Sequence, residues 1–164
     1  MNKRRRQYIG ILSAIISYYI VHEGAHLIYS LMIGTFKQIN FLGLGIQVDI
    51  YRENMTDIET GIFCIIGTIG TFLTSIILIL LTNKIIKLKS KILKCCMYYI
   101  TISMFFIDPI YLSFIYKFVG GGDMNGIILI IPEYIVVLIF VILLIFNIII
   151  FIKYIFPKYK LAFK

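Results

Sequence analysis

Charge is what this chain is short of. Asp, Glu, Lys and Arg make up 15% of its 164 residues, against about 25% in an ordinary soluble domain. A soluble fold of this size needs far more polar surface to cover a core, so a water-soluble globule and a charged disordered chain are both excluded. Cysteine is almost as scarce, at Cys64 and the adjacent Cys95 and Cys96. Neighbours in sequence rarely bridge, and no second pair stands at metal-ligand spacing. The three thiols therefore read as small apolar side chains in helices, not as a secreted disulfide scaffold. Internal repeats and low-complexity linkers are absent, which leaves one domain over residues 1–164. The basic start Lys3-Arg4-Arg5-Arg6 precedes an apolar run but no small-residue cleavage site. That stretch reads as a helix of the mature chain and not as a signal peptide.

What is abundant is apolar: 60% of residues are hydrophobic and the mean hydropathy is +0.97. Crossing a bilayer takes roughly 20 apolar residues. Four stretches qualify, at residues 8–33, 58–81, 95–119 and 127–156. The expected fold is an all-α integral membrane protein of four transmembrane helices. The net charge of +8 would suggest nucleic acid in a soluble protein, but here the cations cluster between apolar runs, where topology explains them. Four precede the first span, five lie within residues 84–94 and four within 153–164, leaving Lys37, Arg52 and Lys117. Thirteen against three places both termini and the middle connection in the cytoplasm of a cell-membrane protein, with residues 34–57 and 120–126 outside. Residues 36–51 partly alternate apolar and polar side chains around Gly43 and Gly45, the pattern of a short strand hairpin at the membrane surface. Gly67 and Gly70 in the second span allow a neighbouring backbone to come close.

One motif stands out: His22-Glu23-Gly24-Ala25-His26. Side chains four apart share a helix face, so both imidazoles can ligate one ion, while Glu23 is offset and free to act on water. HExxH on a helix is a zinc metalloprotease signature, with the glutamate as general base. The chain has only two histidines. Chance would place two histidines four apart in about 1 case in 100, and with a glutamate after the first in about 3 in 10,000. Ionisable groups inside a spanning helix are costly and usually functional.

A catalytic zinc site commonly takes three protein ligands plus water. With no third histidine, the third ligand is expected to be a carboxylate, and the candidates beyond the hairpin connection and the second span are Asp108, Asp123 and Glu133. Asp123 sits in Gly120-Gly121-Gly122-Asp123-Met124-Asn125-Gly126, where glycines permit tight turns against other helices. Asp108-Pro109 is its competitor, about as deep in the third span as His22 is in the first. Its carboxylate is either a ligand or a support hydrogen-bonded to a liganding histidine. Glu133, after Pro132, reads as helix-start chemistry near the interface.

These features resemble the site-2 protease family: HExxH within a spanning helix, a strand-like segment after it, and an Asp among glycines before a later helix. The resemblance implies an intramembrane zinc endopeptidase that cuts membrane-protein substrates within or near the bilayer. It maps the metal ligands onto His22, His26 and Asp123 and the catalytic base onto Glu23. Residues 36–51 are expected to pair with an extended substrate by adding a strand. Ser30, Thr35 and the glycine loop are expected to line a water path. Two rival classes fit part of the pattern. A metal carrier or sensor would keep the histidines without depending on Glu23, and an immunity-type membrane protein would tolerate His22→Ala.

Overall fold

The computed structural model describes residues 2–42 and 45–163. The chain opens with α1 (Lys3–Met32), a hairpin of β1 (Phe36–Leu42) and β2 (Gly45–Ile50), and a short 3-10 turn. Then come α2 (Asp57–Ile85), α3 (Lys91–Ile110), α4 (Gly122–Ile127), α5 (Glu133–Ile150) and α6 (Phe156–Ala162). Single π turns, Tyr111–Ile115 and Phe151–Ile155, continue α3 and join α5 to α6. Four helices, Lys3–Met32, Asp57–Ile85, Lys91–Ile115 and Glu133–Ala162, are long and apolar enough to cross a membrane. This is consistent with a multi-pass membrane protein, and the expected short antiparallel hairpin follows the first helix.

The helices bury many of their small and polar residues and turn most of their large aliphatic ones outward, the pattern expected of helices in lipid. On α1 the buried positions are Gly10, Ala14, His22, His26 and Ser30, a single stripe at multiples of four. Leu12, Ile16 and Ile20 of the same helix are exposed. The matching stripe on α2 includes Gly67, Thr68, Thr71 and Ser75. Helix starts are capped: the Thr56 hydroxyl and Glu59 form a capping box on α2, and the Ser90 hydroxyl accepts from the Leu93 amide on α3.

The spans shift from the expected bounds for local reasons. Ser90 starts the third a turn earlier than residue 95. The fourth begins at Glu133, not at residue 127, because Pro132 has no N–H and forces its predecessor out of the helical region. Residues 122–127 form the separate helix α4 instead. Glu133 is indeed a helix-start residue, accepting from the Tyr116 hydroxyl and lying 3.3 Å from Lys117 Nζ.

Pro109 lies inside α3 and leaves the carbonyl four residues back without its helical donor. Asn147 of α5 supplies one: its Nδ2 donates to the Phe105 carbonyl at 2.6 Å. The break in one helix thus docks another. Asn147→Leu is expected to destabilise the protein by about 1–2 kcal/mol in a denaturant titration, because the Phe105 carbonyl is left unpaired in the bundle.

The hairpin pairs Ile39 with Val48 and Asn40 with Gln47, and Lys37 lies 3.2 Å from Asp49 across it. A hydrogen bond from Lys37 holds the Asp49 carboxyl below its usual range. Gly43, expected at the bend, is outside the described residues. Gly45 opens β2.

Candidate metal centre

His22 and His26 lie one turn apart on α1 with their rings edge-on, buried where α1 faces α2. Their Nε2 atoms lie 3.2 Å from each other. Asp123 closes the group from α4: Oδ2 is 3.1 Å from His22 Nε2 and Oδ1 is 3.6 Å from His26 Nε2. In a tetrahedral site with ligand bonds near 2.0–2.1 Å, neighbouring donors stand about 3.3 Å apart. The three observed separations straddle that value. Glu23 completes the neighbourhood; one ligand-type atom each from His22, Glu23 and His26 lies within 4.8 Å of the others.

The outer ring nitrogens fix which electron pairs face inward. His26 Nδ1 is 2.7 Å from the Phe63 carbonyl, an oxygen that only accepts, so Nδ1 carries the proton. His22 Nδ1 lies 3.3 Å from Asp108 Oδ1 and 3.3 Å from the Tyr18 hydroxyl. That hydroxyl already donates to Asp108 Oδ1, and Thr71 donates to Oδ2, so both neighbours accept and Nδ1 again carries the proton. Both Nε2 lone pairs and the Asp123 carboxylate therefore converge on one point, a donor set suited to a shared cation.

Glycines shape the space. A Cβ on Gly67 would stand 2.5 Å from His26 Nε2 and 2.8 Å from His22 Nε2, so the bare backbone of α2 forms the wall of the donor cluster. At Gly126 a Cβ would collide with Cys64 Sγ, and its absence lets α4 lie on α2 with Asp123 one turn earlier on the same face. Gly120, Gly121 and Gly122 have φ of +91°, +83° and +33°, the left-handed turn that brings the chain back from α3.

Glu23 points to the other side. Its Oε2 accepts the Val48 amide at 2.9 Å. That amide and the one at Ile50, which bonds Asp49 Oδ1, both point away from β1. The outer edge of β2, with Ile46 on the same parity, thus runs past the glutamate. A cleft of about 510 Å³ opens here between α1, β2, α3 and α4. Tyr18, Glu23, Ile46, Gln47, Tyr111 and Asp123 are among its walls.

The structure therefore brings together His22, Glu23, His26 and Asp123. It places Asp108 behind His22, against the outer ring nitrogen, and sets Glu133 apart with Lys117. Ser30 and Thr35 do not line the cleft: Ser30 donates back to the Leu27 carbonyl, and of the three glycines at 120–122 only Gly122 is among the walls. Sequence reading missed Tyr18 and Thr71. Tyr18 had a signal, one turn before His22 on the same face; Thr71 had none beyond its place in the small-residue stripe. Comparison with protein-family models, curated proteins and solved structures finds no match.

Proposed function

We propose that this chain is an intramembrane zinc endopeptidase acting on membrane-protein substrates. The observation that carries the reading is the convergence of His22 Nε2, His26 Nε2 and the Asp123 carboxylate at near-tetrahedral spacing, with a glutamate on the cleft side. Zinc suits two imidazoles and a carboxylate, and would supply Lewis acidity at a peptide carbonyl and water made acidic enough to attack at neutral pH.

The chain's own residues do the rest. Glu23 takes the proton of the attacking water and delivers it to the departing amine. The Val48 amide orients the glutamate toward the cleft. Asp108, held by Tyr18 and Thr71, fixes the tautomer of His22. A substrate helix must first be unwound, since its carbonyls are tied up in its own hydrogen bonds. The outer edge of β2 at Ile46 offers backbone partners to the extended segment. Thirteen basic residues at one end against three elsewhere support an orientation with the termini in the cytoplasm and the cleft in the outer half of a cell membrane.

The test is cleavage of a transmembrane peptide in vesicles that also hold the purified protein. Chelation is expected to stop cleavage and zinc to restore it; cleavage that persists in chelator, or none with zinc supplied, would refute the reading. Gly67→Ala adds a structural check. Its methyl group enters the space between the imidazoles, and metal affinity is expected to fall by more than about tenfold. Gly70→Ala, whose Cβ would meet the Ala25 Cβ at 3.1 Å, serves as the control and retains the metal.

A further inference from the structure

A hydroxyl inside a spanning helix has no bulk water to bond, and it commonly donates to a carbonyl three or four residues back on its own helix. Four of the six hydroxyl side chains of α2 do this: Thr60 to Thr56, Thr74 to Gly70, Ser75 to Phe72 and Thr82 to Leu78. A fifth, Thr71, donates to Asp108. Thr68 is the exception. The residue is 5% exposed, and its hydroxyl oxygen is buried without a hydrogen-bond partner among the described residues. A group left in that state opposes folding.

Thr68 borders two spaces. One is a groove between α2 and α5 whose other walls are all hydrocarbon side chains, Ile65, Ile69 and Phe140 among them; they offer the hydroxyl nothing. The other is a cavity of about 10 Å³ where α2, α3 and α5 meet beside Pro109, which has room for one water molecule and no more. Its polar walls are Thr68, Thr71, Asp108 and Asn147, and the rest are apolar. Asp108 brings an acceptor to this space. An ionised carboxylate has about four acceptor sites. Oδ1 faces the Tyr18 hydroxyl and His22 Nδ1, and Oδ2 takes the Thr71 hydroxyl, so the fourth site falls on Oδ2. A carboxylate 1% exposed among spanning helices is stabilised by every donor that reaches it.

We propose that this cavity is a binding site for a single water molecule, which accepts from Thr68 Oγ1 and donates to Asp108 Oδ2. The water ties α2 to α3 beside the proline break and supplies the last donor to the carboxylate behind His22. The Asn147 side chain closes the same space from α5, where it already caps the Phe105 carbonyl. A metal cation here would have to compete for carboxylate oxygens that Tyr18 and Thr71 already engage. The inference rests on the unpaired hydroxyl and on the acceptor sites of Asp108, and it stands whether or not His22 and His26 hold a metal.

The test uses the full-length protein in detergent, and the sign of one substitution decides. Thr68→Val keeps the shape of the side chain and removes the hydroxyl. With water bound, the apparent unfolding temperature is expected to fall by about 2–4 °C, the shift of one buried hydrogen bond in a chain of this size. An unchanged or raised temperature would show that the hydroxyl had no partner to lose, and would overturn the site. A density map of the wild type that resolves ordered solvent is expected to show one solvent peak within hydrogen-bond distance of both Thr68 Oγ1 and Asp108 Oδ2. A dry cavity, or a Thr68 hydroxyl turned onto the Cys64 carbonyl, would overturn the proposal whatever the variant does. The unfolding temperature is expected to be the same in sodium chloride and in choline chloride. Stabilisation that requires sodium would make the occupant a cation and overturn the assignment to water.

Discussion

Glu23→Gln is expected to keep its metal and lose its activity. Glutamine has the shape of glutamate, and its Oε1 can still accept the Val48 amide that Glu23 Oε2 now accepts at 2.9 Å, so the α1–hairpin contact survives. The neutral amide cannot take a proton from water. General-base removal typically costs about 10²–10⁴ in rate, and here the same group also serves the leaving amine, so a fall of about 10³-fold or more in kcat is expected. Zinc per chain should match the wild type. Cleavage within about tenfold of wild type would remove Glu23 from the mechanism, and the chain would then fit a metal carrier or sensor better than a peptidase.

The second large effect separates the two aspartates. Asp123→Ala takes away the one of the two carboxylates that faces the inner imidazole nitrogens and is expected to abolish stable zinc binding. Asp108→Asn leaves all three donors in place but weakens the partner of His22 Nδ1. Losses of that kind typically lower metal affinity about 10–100-fold, so zinc should still load at saturation and be drawn off by a weaker chelator than the wild type needs. Thr71→Val, which removes a hydroxyl bonded to Asp108, should shift affinity in the same direction by less. If Asp108→Asn emptied the site while Asp123→Ala retained its metal, the ligand assignment would be reversed. Protons compete with metal for these donors.

Much of this site is visible in the sequence because its signal is local. His22 and His26 lie on one helical turn, and no other histidine competes with them. Asp123 is marked by the glycines around it, whose left-handed turns and bare contact with Cys64 prove to be what carries it to the histidines. Gly67 is legible as a point of close approach, though not that the approaching groups are the imidazoles themselves. Asp108 matches His22 in depth, but depth does not say which ring nitrogen a carboxylate will meet. The choice between ligand and support depends on how α3 rotates against α1, and that is set by the bundle.

The remaining contacts join residues far apart in the chain. Pro109 announces a carbonyl without a donor, yet nothing near it says that Asn147 will fill the gap; a lone asparagine in an apolar run is the available hint. The bond from the Val48 amide to Glu23 follows from how the hairpin folds back on α1, which alternation alone does not reveal. Hydropathy places the start of the fourth span too early because it runs on through residues 127–132, whereas Pro132 decides where the helix can begin.

The most direct measurement of the central claim is the metal content of the detergent-purified protein, by elemental analysis after exchange into metal-free buffer, beside His22→Ala. About one zinc per chain in the wild type and none in the variant is the predicted result. No zinc in the wild type even after zinc is added back, with the protein folded and monodisperse, would contradict it.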